Sequence, residues 1–321
     1  MKLILDLFTE QVKARPQKVA VNDAANGIFY TYAELDTLSR RIAAKLRNDG
    51  VRRGDKVILT PARSAGYIAA IVGVMMAGGV YVPLSQNYPA ERIEYIRSDC
   101  GAKVRLDDAY LAAAMDCEPL AQSVQIQPED AALVCYTSGS TGNPKGILHD
   151  QRSLAEITNR FLKMSELDAR DVYANNVPPY FIVHVMDIFC PLTAGMTVQL
   201  VPEALRGDPE GLADFISEHG VTAIFISPKV LRYFKNRSDT LRFVSTGSER
   251  VSRLVPDGYR LLNVYGMTET TGVALGFTID KAYDNTPIGA PCQGVAVYLL
   301  DDAGNPCDEG EICVAGHMGQ G

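Results

Sequence analysis

An α/β fold, made of helix-covered and mostly parallel sheets with a small antiparallel β-barrel or meander appended, is what this 321-residue chain predicts. Three observations carry that prediction. Strand-like and helix-like segments alternate through residues 1–272, the pattern of a parallel sheet covered by helices rather than of an all-β or all-α protein. Residues 273–321 change character, with short strand patterns joined by turns such as Asp301-Asp-Ala-Gly-Asn305. Three polar runs each follow an apolar strand pattern, and in open α/β sheets ligands bind beyond the carboxyl ends of the strands.

The elements follow in order. Residues 4–14 form an amphipathic helix pattern stopped near Pro16, and Lys18 to Asn22 and Ile28 to Tyr32 read as strands. Thr31-Tyr-Ala-Glu34 is a capping-box pattern, which opens a helix running to about Asn48. Val57 to Thr60 is a strand. A small-residue helix runs from Ala65 to Met76, broken by Gly78-Gly79, and Pro89 starts a helix that ends near Gly101. Ala131 to Tyr136 reads as a buried strand, with a helix after Ser153. Strand and helix then alternate: Met196–Val201, Pro209–His219, Thr222–Ser227, Pro228–Lys235 and Arg242–Ser245. Val273–Ile279, Ala296–Leu300 and Glu311–Ala315 are the strands of the appended β-rich segment. The chain stops just after a strand pattern, as a truncated piece would, while Met1 directly before the first helix suggests a free-standing start.

Composition bounds the function. Hydrophobic residues make up 47% and charged residues 21%, ordinary for a soluble globular protein. A net charge of −7 leaves no basic excess for nucleic acid. The longest apolar segment, Ala69 to Val82, is interrupted by glycines and too short to span a bilayer. Seven scattered cysteines, without a C-x-x-C pair, read as buried free thiols in a reducing cytoplasm. A cytoplasmic protein without membrane or nucleic-acid partners is the expectation.

The most informative run is residues 136–146. It carries the hydroxyls of Thr137, Ser138, Ser140 and Thr141, the glycines Gly139, Gly142 and Gly146, and one cation, Lys145. Such a loop offers backbone N–H groups, hydroxyls and a charge to a polyphosphate. It is not a Walker A loop, because Lys145 follows a proline and precedes a glycine. An ordinary Ser/Gly surface loop accounts less well for eleven such residues directly behind a buried strand. The second run, 263–271, follows the strand pattern Tyr259 to Leu262. Asn263 brings an amide, Tyr265 an aromatic face, Thr268 a hydroxyl and Glu269 a hard oxygen ligand suited to Mg²⁺. Alone it would pass for a turn with a solvated Glu and a packed Tyr; beside the first run it reads as part of a nucleotide site. The third run is Ser245-Thr-Gly-Ser-Glu249, after the strand Arg242 to Val244.

In this order the motifs resemble the adenylation domains of nonribosomal peptide synthetases, within the wider adenylate-forming family of acyl-CoA synthetases and luciferases. The resemblance covers nearly the whole chain. Tyr30-Thr-Tyr-Ala-Glu-Leu35, Met76-Ala-Gly-Gly-Val-Tyr-Val-Pro-Leu84, Tyr136–Gly146, Asn263–Glu269, Pro287-Ile-Gly289 and Gly310-Glu-Ile-Cys-Val-Ala-Gly316 match its core motifs, with Met267 where proline is usual. The second of these favours the peptide-synthetase branch. What the resemblance implies is the large N-terminal portion of an adenylate-forming enzyme, with a nucleotide- and acid-binding body (1–272) of two sheet subdomains and a β-rich barrel segment (273–321). The implied reaction is attack of a carboxylate on the α-phosphate of ATP, with Mg²⁺, followed by acyl transfer to a carrier-protein phosphopantetheine thiol or to CoA.

The resemblance also implies roles. Thr137, Ser138 and Thr141 would hold the β/γ-phosphates as the loop closes, with Lys145 nearby, and Gly139, Ser140 and Gly142 belong to the same nucleotide-binding run. Thr268 would contact the α-phosphate and Glu269 would hold Mg²⁺; these two and Lys145 are the catalytic candidates. Tyr265 would stack on adenine, Asn263 would bond its amino group and Gly247 would line the purine slot, with Ser248, Glu249 and Gly266 also among the nucleotide-binding residues. Phe181, Ile182, Val183, His184, Met186, Phe225, Val244, Thr246, Val264, Gly272 and Val273 would line the acid pocket. Two departures matter. Ile182 stands where the family places an aspartate for an amino acid's α-ammonium, so the expected substrate is an apolar aryl, α-keto, α-hydroxy or acyl acid without a free α-amine. The alternative is an amino acid held by another acid such as Asp187. The family's ribose-binding aspartate, hinge and catalytic lysine would fall beyond residue 321, so these residues alone are expected to fold but to adenylate poorly, or only to bind nucleotide and acid.

Overall fold

A computed structural model describes residues 1–137, 143–316 and 319. α1 (Ile4–Ala14) leads into the antiparallel pair β1 (Val19–Asp23) and β2 (Ile28–Thr31). α2 (Tyr32–Asn48) opens on the expected capping box: the Glu34 N–H donates to Thr31 Oγ1 at 3.3 Å and the Thr31 N–H to Glu34 Oε2 at 2.7 Å. Next come β3 (Lys56–Leu59), α3 (Ala65–Met76), β4 (Val80–Pro83), α4 (Ala90–Cys100), β5 (Val104–Leu106) and α5 (Asp108–Ala114). β6 (Ala131–Thr137) turns back into β7 (Lys145–Asp150) before α6 (Gln151–Ser165). Beyond it lie β8 (Val172–Asn175), α7 (His184–Ala194), β9 (Thr197–Leu200), α8 (Pro209–Glu218), β10 (Ala223–Phe225) and α9 (Pro228–Leu231). β11 (Phe243–Gly247), β12 (Arg260–Tyr265), β13 (Leu275–Ile279), β14 (Ala290–Pro291), β15 (Ala296–Leu300) and β16 (Glu311–Ala315) complete the set.

The strands form a nine-stranded sheet, β14-β13-β12-β11-β10-β8-β9-β1-β2, a five-stranded sheet, β5-β3-β4-β6-β7, and the antiparallel pair β15-β16. The centre of each large sheet is parallel; antiparallel strands close both edges of the nine-stranded sheet and the β7 edge of the five-stranded one, whose other edge, β5, is parallel to β3. Because strand side chains alternate between faces, each sheet feeds two cores. Val57 and Leu59 of β3 face the central core, which also takes Phe225 of β10 and Phe243 of β11. Ile58 faces a separate core under α4, and Ile224 and Val244 face another under α8. The central core is thus shared by both sheets and the helices between them, and this fixes one sheet's strand ends against the other's.

Three differences from the sequence reading have physical causes. Val273–Ile279 does not join β15 and β16 in the appended segment: β13 pairs with β12, Leu261 opposite Ile279, and buries Leu275 and Ile279 in the nine-stranded sheet. Lys145 and Gly146, read as the end of the polar loop, open a strand instead, and Ile147 and His149 alternate inward along β7. Asn263 to Tyr265 lie inside β12, not beyond its end. The cysteines are free thiols as expected, but only Cys135, Cys190 and Cys292 are buried and the other four are half-buried. Among the described residues no helix is long and apolar enough to cross a membrane.

Candidate active-site cleft

A cleft of 410 Å³ opens where the ends of β6 and β12 meet the segment leading into α7. Of the residues expected at the site, it gathers Thr137, Phe181, Ile182, Val183, Ser248, Val264, Gly266, Thr268, Gly272 and Val273. Phe225 lines an adjoining 250 Å³ pocket that shares Phe181, Val183 and Ser248 with it. Two runs far apart in sequence therefore meet because β6 and β12 end at the same place between the sheets. An open groove of 810 Å³ around Arg232, Arg250 and Arg253 shares no lining residue with the cleft.

Local geometry explains how the 266–272 turn is held. Thr268–Thr270 is one turn of 3₁₀-helix ended by Thr271 in the left-handed region, φ +58°. The Gly272 N–H donates to Met267 O at 3.0 Å and the Ala274 N–H to Tyr265 O at 2.8 Å, so the chain doubles back on β12. His149 of β7 reaches across to this turn, with Nδ1 3.1 Å from Thr271 Oγ1. Gly319 completes the contact, its N–H donating to Glu269 O at 2.8 Å. Ser248 also has a positive φ, +71°, at the cleft wall. Such backbone costs of order 1 kcal/mol and clusters where the surrounding structure has a use for it.

Other expected residues fall elsewhere. Lys145 is exposed as the first residue of β7, opposite Thr137. Glu269 is exposed beside Thr268, while the Glu249 carboxylate accepts from the Lys229 N–H at 3.1 Å. Asn263 is buried, with Nδ2 donating to Pro287 O at 2.9 Å. Tyr265 and Gly247 end β12 and β11. His184 and Met186, expected at the pocket wall, lie in the core instead, because α7 is buried nearly all round. His184 Nε2 sits 3.1 Å from Tyr81 Oη and Nδ1 2.7 Å from Phe181 O. Val244 faces the core under α8, and Thr246 is buried in β11 with its Oγ1 unpartnered among the described residues. Ser138, Gly139, Ser140, Thr141 and Gly142 lie outside the described residues.

Asp187 is no partner for an ammonium in the cleft. It is fully buried in α7, and its Oδ2 accepts from the Asn176 N–H at 2.9 Å and the Val177 N–H at 2.8 Å. Burial pushes its carboxyl up to about 6. No carboxylate lines the cleft among the described residues. The sequence reading missed Tyr88, Arg92, Cys135 and Tyr180 as lining residues. The signal for the first two was a Tyr directly before Pro89 and an Arg in the first turn of the helix that Pro89 opens, a pairing across a helix start that charge and motif searches pass over. Cys135 is no nucleophile: burial, with the charge of Glu269, pushes its thiol up to about 12.

Burial also holds His149 and His184 down to about 4, their nearness to each other adding to the effect on His149. Both are therefore neutral in the native state at pH 5, where the unfolded chain carries them protonated. Below the unfolded value of 6.5, stability falls by about 1.4 kcal/mol per pH unit for each histidine until pH 4. Asp187 acts in the opposite sense from pH 6 down to its ordinary 3.8, since the native state holds that proton first. The net expectation between pH 6 and 4 is uptake of one proton on unfolding, and a urea midpoint that drops steadily over that window. A midpoint that is flat or rises from pH 6 to 4 would contradict these assignments.

Comparison with known proteins defines the class. The AMP-binding enzyme family matches residues 8–319, and the chain belongs to it. Within that family it is similar to nonribosomal peptide synthetases, of which it spans only a small part. It is 33% identical to bacitracin synthase 1 of Bacillus licheniformis over 98% of its own length but only 6% of that protein. It superposes on the NpsA N-terminal subdomain of Klebsiella oxytoca in complex with 3-hydroxyanthranilyl-AMSN with a TM-score of 0.89 and 25% identity, over 100% of this chain and 89% of that one. The AMPPNP-bound form of the synthetase FmoA3 matches with a TM-score of 0.87 and 25% identity, over 98% of this chain and 37% of that one.

Proposed function

We propose that the cleft binds ATP and an apolar carboxylic acid lacking a free α-amine, and joins them as an acyl-adenylate. The carrying observation is one cleft with two kinds of lining. Thr137, Gly266 and Thr268 supply polar groups and close backbone approach, while Ile182, Val264 and Val273 supply an apolar surface without any carboxylate. In the reaction a carboxylate oxygen bonds to the α-phosphorus, the bond from that phosphorus to the bridging oxygen breaks, and pyrophosphate leaves. Thr268 orients the α-phosphate and Thr137 the phosphates beyond it; positioning and charge neutralisation are what such chemistry demands. The complex of NpsA with 3-hydroxyanthranilyl-AMSN supports an aryl acid as one member of the substrate class.

Glu269 fits a Mg²⁺ ion, because it is an exposed carboxylate beside Thr268 with no ion pair among the described residues, and Mg²⁺ is usually held by one or two carboxylates plus substrate phosphates. Bound there, the ion would neutralise phosphate charge. The acyl group then passes to the phosphopantetheine thiol of a carrier protein, the thiol giving up its proton and AMP leaving, in keeping with the similarity to bacitracin synthase 1. ATP–pyrophosphate exchange driven by an aryl or α-keto acid tests the reading, with Glu269→Gln expected to raise the Mg²⁺ requirement at least about tenfold. No acid-dependent exchange and no ATP binding would overturn it.

A further inference from the structure

Arg92 is the one charged residue among the described residues that line the cleft, and the sequence motifs do not include it. It occupies the first turn of α4, just after Pro89. A cation there opposes the helix dipole, so helix stability does not explain it. Its guanidinium carbon lies 4.3 Å from the centroid of the Tyr88 ring, which holds the side chain against the cleft wall. Tyr88 in turn packs on Tyr180, with ring centroids 5.6 Å apart, and Tyr180 on Phe181 at 5.3 Å. The Arg92 Nε is buried without a hydrogen-bond partner, and no carboxylate pairs with Arg92 among the described residues. In a chain of net charge −7, an arginine fixed by aromatic stacking and left without an acid is poised for an anion that arrives from outside.

The wall on which it stands identifies the anion. Arg92 borders the cleft with Tyr136 and Thr137 at the end of β6. Tyr136 ties that strand end to α4 through its hydroxyl, which donates to Asp99 Oδ2 at 2.5 Å. The apolar acid surface of Ile182, Val264 and Val273 comes from α7's approach and from the β12 turn, which also carries Thr268 beside the α-phosphate, so β6 and α4 are left for the phosphates beyond it. Lys145, the cation of the 136–146 run, is exposed and does not line the cleft. We propose that Arg92, stacked on Tyr88, binds the terminal phosphates of the nucleotide and the pyrophosphate they become. A guanidinium suits this because its planar fork matches phosphate oxygens two at a time. The proposal rests on the reading of the cleft as an ATP site.

The test is titration calorimetry of the chain with ATP plus Mg²⁺, with AMP and with inorganic pyrophosphate, for wild type, Arg92→Ala and Arg92→Lys. Arg92→Ala is expected to weaken ATP and pyrophosphate at least about tenfold while AMP changes less than about twofold, and Arg92→Lys to recover part of the loss. Equal weakening of AMP and ATP, or no change in either, overturns the Arg92 assignment while leaving the ATP site standing. A change confined to the acid's KM in exchange assays overturns it as well, in favour of an anchor for the acid. If wild type binds neither AMP nor ATP, the ATP reading itself fails and the proposal with it. Thermal melts of all three proteins establish folding; should Arg92→Ala unfold, Arg92→Lys and Tyr88→Leu, which removes the stacking partner, carry the same comparison.

Discussion

A matched pair of stable sulfamoyl-adenylate analogues is expected to separate by about 10²-fold in Kd at neutral pH, the 4-methylpentanoyl compound binding more tightly than the leucyl compound. The two differ only by the α-amine. Ile182 is 8% exposed at the cleft wall, and no carboxylate lines that cleft among the described residues. An α-ammonium brought there loses its water without gaining a counter-charge, a loss of about 3–5 kcal/mol when a buried charge is left unpaired. It has one escape, which is to bind as the neutral amine. With an α-amino pKa near 8, deprotonation costs about 1–2 kcal/mol between pH 6.5 and 7, and the unpaired amine adds about 1–3 kcal/mol. The sum gives a discrimination of order 10²-fold, and it also gives a pH signature. The preference narrows by roughly thirtyfold as pH rises from 6.5 to 9, because the amine is then already neutral in water. Ile182→Asp is expected to reverse the order by supplying the missing carboxylate. Tighter binding of the leucyl compound by the wild type, at any pH in that range, would sink the substrate assignment.

The parts of this site that were legible in the sequence are those with local signatures. Thr31 and Glu34 cap α2 as their spacing requires, and Pro89 and Gly101 bound α4. The polar runs at 136–146 and 263–271 announced chemistry through composition alone. What was not legible depends on tertiary burial. α7 is apolar on nearly every face and contains Pro191, so it shows neither amphipathic periodicity nor a clean interior, and the segment read only as a pocket motif. The same burial turned His184 and Met186 into core residues. β13 carries an ordinary alternating pattern, and nothing local says whether such a strand extends one sheet or starts another. Arg92 was missed because its significance is relational: a cation matters here only when the residues facing it prove to lack an acid.

The backbone at Gly266 makes the last and largest structural prediction. A Cβ built there would lie 1.9 Å from Gly272 O, 2.7 Å from Gly272 C and 3.0 Å from Thr270 Oγ1. The first two are main-chain atoms, so no side-chain rotation relieves the overlap. Gly272 cannot retreat freely either, because its N–H donates to Met267 O, and the Ala274 N–H that follows donates to Tyr265 O. Gly266→Ala must therefore open the 266–272 turn by more than an ångström. Thr268 and Glu269 ride on that turn, while Val264 and Val273 flank it at the cleft wall. The expected result is a loss of at least about 3 kcal/mol, large for a single methyl group, read as a melting temperature lowered by about 5 °C or more. Nucleotide binding should fall further than stability, since the turn can open locally before the fold is lost. Gly207→Ala provides the control: no atom lies within 4 Å of its Cβ and its φ is not in the left-handed region, so its effect should stay within about 0.5 kcal/mol. If Gly266→Ala melts and binds ATP as the wild type does, the close packing of this turn is not what holds Thr268 in the cleft.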